Sequence, residues 1–168
     1  MTSETWSDGD LGARVGHVNL KVSDLNRSIR FYAEVMGLEL RQRIGKGGAF
    51  LAAGGYHHHV GLNTLSSLGG APPPHGHTGM HHIAFVYPDR RSLARAVRRV
   101  LAHGVVIVHK SDHGVSEAVY FHDPDSNLIE IYWDRPRSEW PEGPDGSLAA
   151  FDNPLDLDAL LSADDPAP

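Results

Sequence analysis

His17-Val18-Asn19-Leu20-Lys21-Val22-Ser23-Asp24 and His82-Ile83-Ala84-Phe85-Val86-Tyr87-Pro88-Asp89 decide how this chain folds. Each is an apolar, β-rich run that opens on a histidine and closes on an aspartate. The two stretches stand 65 residues apart by either end (82 − 17 and 89 − 24). After each aspartate the period changes from two to 3.6. Leu25, Ile29, Tyr32 and Met36 share one helical face, with Ser23 or Asp24 as N-cap and Gly37 as the stop. Leu93, Val97, Val100 and Leu101 do the same between Asp89 and Gly104. Short strand-like runs follow each helix, at 38–44, 48–53 and 56–63, and again at 105–109, 116–122 and 127–133. The chain is therefore a duplicated β-α-β-β-β unit. Two such units bury their faces against each other. The expected fold is α+β, with two tandem βαβββ modules forming one curved, mostly antiparallel open barrel and the helices outside.

Around this repeat the chain divides into an N-terminal extension (1–13), a single two-module domain (14–136) and a C-terminal arm (137–168). The modules span 14–68 and 79–136, joined by a Pro/Gly linker at 69–78. From Asp134 onward there are nine acids and two arginines, with several prolines, so this end reads as an extended arm rather than core. The 168 residues carry a net charge of −6, which argues against nucleic acid as a partner. The absence of cysteine excludes disulfides, thiol catalysis and Cys-bound metals. No run of about 18 apolar residues and no signal-like N-terminus is present, so the expectation is a cytoplasmic protein without a membrane partner.

The unusual count is 12 histidines against three lysines. Alternation in a strand puts His17 on one face with Asn19, and His82 occupies the matching place in the second repeat. In the last strand Glu130 faces away from Ile129 and Ile131, in a run apolar enough to bury it. A buried carboxylate needs a cation. Two imidazoles and one carboxylate suit Fe(II), Mn(II) or similar metals, with coordination positions left open.

Several stretches resemble the vicinal oxygen chelate superfamily: 15–32 with Met36-Gly37-Leu38, then Tyr56-His57-His58-His59-Val60-Gly61-Leu62-Asn63-Thr64. The runs 112–125 and Ile129-Glu130-Ile131-Tyr132-Trp133-Asp134-Arg135-Pro136, and the tail segments 140–146 and 154–161, resemble its catechol 2,3-dioxygenase branch, the type I extradiol ring-cleaving enzymes. The resemblance covers about residues 14–161. It implies a divalent metal, Fe(II) or else Mn(II), on His17, His82 and Glu130. It implies His59 as the acid–base histidine, Tyr120 as the hydrogen-bond partner of a substrate hydroxyl, and His113 as a second pocket histidine. Its substrates would be a small aromatic diol and O2. By strand alternation His57 shares the face of His59, and His58 takes the opposite, outer face. Ser126 and Leu128 stand where the branch usually has glycine. Many ring-cleaving members carry four modules where this chain carries two, so a homodimer is expected. Small two-module members also include glyoxalase-like isomerases, antibiotic thiol transferases and non-catalytic proteins that sequester aromatic antibiotics. The stretch 57–63 lacks the second carboxylate that the isomerase reading asks for.

Overall fold

A computed structural model of the chain describes residues 14–74 and 76–164. The N-terminal extension 1–13, His75 of the linker and the last four residues of the arm lie outside the described residues. The first module runs β1 (Val18–Lys21), α1 (Leu25–Arg30), β2 (Glu39–Ile44), β3 (Gly48–Ala52) and β4 (Val60–Asn63). The second runs β5 (His82–Tyr87), α2 (Arg90–Ala102), β6 (Ile107–Asp112), β7 (Ser116–His122) and β8 (Leu128–Asp134). The duplicated unit is thus present twice.

Local chemistry explains the boundaries. Asp24 accepts from the Arg27 amide at 3.0 Å, and Asp89 from the Ser92 amide at 2.6 Å, so each helix begins at the aspartate that closes its strand. α1 widens into a π-helical turn over Phe31–Val35. Gly37 stops it at φ +76°, with the Arg99 guanidinium only 3.0 Å from where a Cβ would sit. That guanidinium donates to the Val35 and Met36 carbonyls at 2.7 and 2.9 Å, satisfying the helix end from the other module. Ser126 adopts φ +66° in the β7–β8 turn, the left-handed conformation that glycine would take more cheaply, at a cost of about 1 kcal/mol.

With a short further strand, β9 (Asn153–Pro154), the strands form two mixed sheets, ordered β1-β4-β3-β2 and β5-β8-β7-β6-β9. In each module the first and last strands pair in parallel and the rest antiparallel. The expected single curved barrel is met as two sheets that do not close on each other within the chain. The reason is where the modules touch. One face of each sheet packs on helices in a single apolar cluster that includes Tyr32, Leu62, Val97, Phe121 and Ile129. Phe31 meets Phe121 at 6.3 Å, and the Tyr32 hydroxyl donates to Asp123 at 2.9 Å. The opposite faces stay open, and Asn19, Lys21, Ala84 and Val86 on them are exposed.

Asp125 ties the modules together. It accepts from the Ser23 amide and hydroxyl at 3.1 and 2.5 Å, from Arg27 at 2.7 Å and from Ser28 at 3.2 Å. Burial works to raise its carboxyl. The Ser23 hydrogen bonds and the Arg27 charge outweigh burial and hold it below the usual range. A depressed folded pKa stabilises above the unfolded value, about 3.9, and that stability is lost as pH falls through the folded value. Asp125→Asn is expected to lower unfolding stability at pH 7 by about 1–2 kcal/mol. The difference from wild type should shrink as pH drops below about 4. Urea titrations at pH 7 and pH 3 with equal differences would contradict this.

The arm departs from expectation. It carries β9 (Asn153–Pro154), which pairs with the edge of β6, and α3 (Leu157–Leu161), which packs on α2. Leu155 and Leu160 are buried in the common core. Arg90 and Arg98 of α2 donate to the Ala159 and Leu161 carbonyls at 3.0 and 2.9 Å. Two well-placed leucines outweigh the acidic, Pro-rich composition on which the reading as an extended arm rested.

Candidate functional site

The open face of the second module concentrates titratable side chains. On β8, Glu130 stands between Ile129 and Ile131, which enter the core, so its carboxylate takes the other face, and it is only 8% exposed. Register places Tyr120 of β7 directly opposite Glu130, and Ala84 of β5 beside it on the other flank. His82, two residues before Ala84, shares that face. Its Nε2 lies 2.9 Å from Glu130 Oε2. The Tyr120 hydroxyl donates to Glu130 Oε1 at 2.8 Å. Burial first, and then the bond to Glu130 and its charge, push the Tyr120 phenol well above its usual value, so it stays a neutral donor. His113, just past β6, brings Nε2 to 3.3 Å from the Tyr120 hydroxyl. His109 lies across from Tyr120 on β6, ring centres 5.4 Å apart, and was not marked by the sequence. The bulge between Ile107 and His109 shifts the register that alternation would have assigned it.

The first module holds a second, smaller group. His17 packs on His58 with ring centres 4.3 Å apart, and His58 stacks on Phe50 at 4.1 Å. Asn19 continues this face and accepts from Asn63 at 2.6 Å, over the bare Cα of Gly61. Desolvation and then the neighbouring imidazoles of His17, His57 and His59 hold His58 below its usual pKa, so it is neutral near pH 7. His59 turns elsewhere. Its Nδ1 accepts from the Ala53 amide at 3.2 Å and its ring lies against Tyr56, 4.7 Å away. The expected alternation through 57–59 therefore fails. These residues bend before β4 starts at Val60, and His58 rather than His59 lies beside His17.

The structure thus brings together His82, Glu130, Tyr120 and His113, and separately His17 and His58. Among the described residues no three His, Asp or Glu side chains form a group that could hold a metal ion. His82 and Glu130 have the donor chemistry for a divalent cation, and His17 stands outside the pair.

With this geometry in hand, comparison with known proteins is informative. The Glyoxalase/Bleomycin resistance protein/Dioxygenase superfamily matches residues 14–131. A catechol-2,3-dioxygenase of Bacillus subtilis is 35% identical over 152 residues, covering 88% of this chain and 50% of that protein. The chain thus spans half the length of that relative. The metallothiol transferase FosB of Staphylococcus epidermidis is 29% identical, covering 70% of this chain and 80% of that protein. Among solved structures, a glyoxalase/dioxygenase from Nostoc punctiforme superposes with a TM-score of 0.61 at 24% identity, covering 81% of this chain and all of that one, which shows the shared fold.

Proposed function

Because the chain belongs to the Glyoxalase/Bleomycin resistance protein/Dioxygenase superfamily, we propose that it is a metal-dependent extradiol dioxygenase that opens a catechol-type ring with O2. The observation that carries this reading is the buried Glu130 carboxylate held between His82 and Tyr120. The likeness to a catechol-2,3-dioxygenase over 88% of the chain supports it. Fe(II), with Mn(II) as the alternative, suits an imidazole and carboxylate set with open positions. The bound ion supplies Lewis acidity and a place where diol and O2 meet.

The protein's own groups do the rest. Glu130 and His82 anchor the ion. With Glu130 on the ion, the Tyr120 hydroxyl, kept protonated, would turn its one hydrogen from Glu130 to a diol oxygen and orient it. A neutral imidazole beside His17, that of His58, accepts and returns the diol proton. The ring bond next to the diol breaks, and both atoms of O2 enter the semialdehyde acid product, so no external reductant is needed.

A third ligand comes from a second copy. We place His17 of one chain with His82 and Glu130 of another, in a homodimer with two shared sites. Two observations support it. No complete ligand group exists within the described part of one chain. Each sheet leaves a face open, with Val86 at 60% exposure.

The test mixes two inactive variants. His17→Ala and Glu130→Ala chains, unfolded together and refolded, give half heterodimers, each with one intact site of two. About a quarter of wild-type ring cleavage should return. A site built within one chain predicts none, as does a monomer in light scattering. The FosB likeness favours a second reading, metal-dependent thiol transfer, because the chain matches 80% of that protein. Catechol-dependent oxygen uptake by protein purified without air and loaded with Fe(II) separates the two.

A further inference from the structure

Beside Tyr120, the edge of β6 and the C-terminal arm border a groove of about 440 Å³. β9 pairs with β6 only at Ser111 and Asp112. Past that pairing the arm turns into the core at Leu155, so among the described residues no strand lies along the outer edge of β6 from Ile107 to Lys110. The groove opens at this gap, with Ile107, Val108 and Pro154 as its apolar lining. Its place ties it to the site. His109 lines it and lies 5.4 Å from the Tyr120 ring, centre to centre. Asp152 lines it from the arm and stands 3.9 Å from His113 Nδ1, and the Nε2 of that ring is 3.3 Å from the Tyr120 hydroxyl. A short chain on a ring held at Tyr120 therefore runs past His109 into the groove. The wall formed by the arm is fixed. Gly114 sits at φ +75°, and the Phe151 ring fills the space that a Cβ there would take. The buried Ser111 hydroxyl donates to Asp152 Oδ1.

The groove carries two opposite charges, one from each wall. Lys110 of β6 is exposed and makes no hydrogen bond or ion pair among the described residues. Asp152 of the arm is exposed too, and its Oδ2 has no hydrogen bond among them. The two do not pair with each other. We propose that this groove is the substituent pocket of the site and that it selects a catechol whose side chain is an α-amino acid: Asp152 takes the ammonium and Lys110 the carboxylate. A chain that ends in a carboxylate alone gains from Lys110 and is repelled by Asp152. A chain that ends in an amine alone meets the reverse. A chain with both charges gains from each wall. The apolar lining between them holds the carbon stem.

The assignment rests on the dioxygenase reading, which places the ring at Tyr120. The test uses three probes with one ring and different chains: 3,4-dihydroxyphenylalanine, dopamine and 3,4-dihydroxyphenylpropionate. Their affinities are measured by calorimetry without O2 on the Fe(II)-loaded full chain, each relative to unsubstituted catechol on the same protein. Oxygen uptake is then followed on the same samples. The amino acid should bind about fivefold more tightly than either singly charged probe. Lys110→Gln should erase its advantage over dopamine. Asp152→Asn, which keeps an acceptor for Ser111, should erase its advantage over the propionate. Equal affinities for the three probes, or preferences that survive both substitutions, overturn the groove assignment, and oxygen uptake with catechol in that case leaves the dioxygenase reading standing. If no catechol drives oxygen uptake yet the preference for the amino acid is present and falls with both substitutions, the dioxygenase reading fails and the groove assignment stands. Binding of none of the probes overturns both.

Discussion

Glu130→Ala is expected to abolish divalent-metal binding and, with it, ring cleavage, by more than about 10³-fold in turnover. Glu130 is the shared partner of His82 and Tyr120, at 2.9 and 2.8 Å. Its loss removes the carboxylate that His82 and Tyr120 share. The metal-free protein should not unfold as a result. A carboxylate that is 8% exposed carries a desolvation cost, and alanine removes that cost along with the negative charge. The apo variant should therefore melt at or above the apo wild type. The rise in melting temperature that Fe(II) or Mn(II) confers on wild type should vanish, since a ligand stabilises only what it binds. Metal analysis together with calorimetry, with and without added ion, checks both halves. A variant that still takes up one ion per chain at wild-type affinity would show that Glu130 is an ordinary buried acid bonded to Tyr120.

His58→Phe is the second large effect. It should retain metal and bind catechol, yet lose about 10²–10⁴-fold in turnover, the usual scale for removing a positioned acid–base group. Phenylalanine can keep the stack on Phe50 while deleting both nitrogens. His59→Phe should cost far less. Its Nδ1 serves the Ala53 amide and its ring lies on Tyr56, away from His17. Strand alternation alone ranks the two the other way round. Steady-state kinetics on both variants therefore decides between the bent and the continuous strand at 57–59. Equal losses would mean that neither histidine is the single proton carrier.

The reason for that reversal shows where sequence is readable. Period-two reasoning holds inside a continuous ladder. Glu130 lies in a seven-residue strand paired on both sides, and His82 opens a six-residue strand that pairs with it, so their faces follow from alternation. His57 and His58 lie between the Gly54–Gly55 turn and the start of β4, where no strand pairing enforces the pleat, and the backbone joins Leu51 and Val18 by hydrogen bonds from His59 onward. His109 lies beyond a bulge, with the same result.

The duplicated β-α-β-β-β unit, its helix caps at Asp24 and Asp89, its stops at Gly37 and Gly104 and the strained turn at Ser126 all follow from local chemistry. Each depends on residues within a few positions of one another, and so each is written in the chain order. Repeat symmetry likewise shows that His17 and His82 are equivalent places in two modules. It does not say whether equivalent places meet. That depends on how the modules dock, which contacts distant in sequence decide: Phe31 on Phe121, Arg99 on the end of the first helix, and Asp125 on Ser23 and Arg27. The same holds for the arm. Its acids and prolines describe its solvation, while Leu155, Leu160 and the bare Cα of Gly114 determine where it lies. Docking is a sum of many weak long-range contacts competing with chain entropy, and no short stretch of sequence carries that sum.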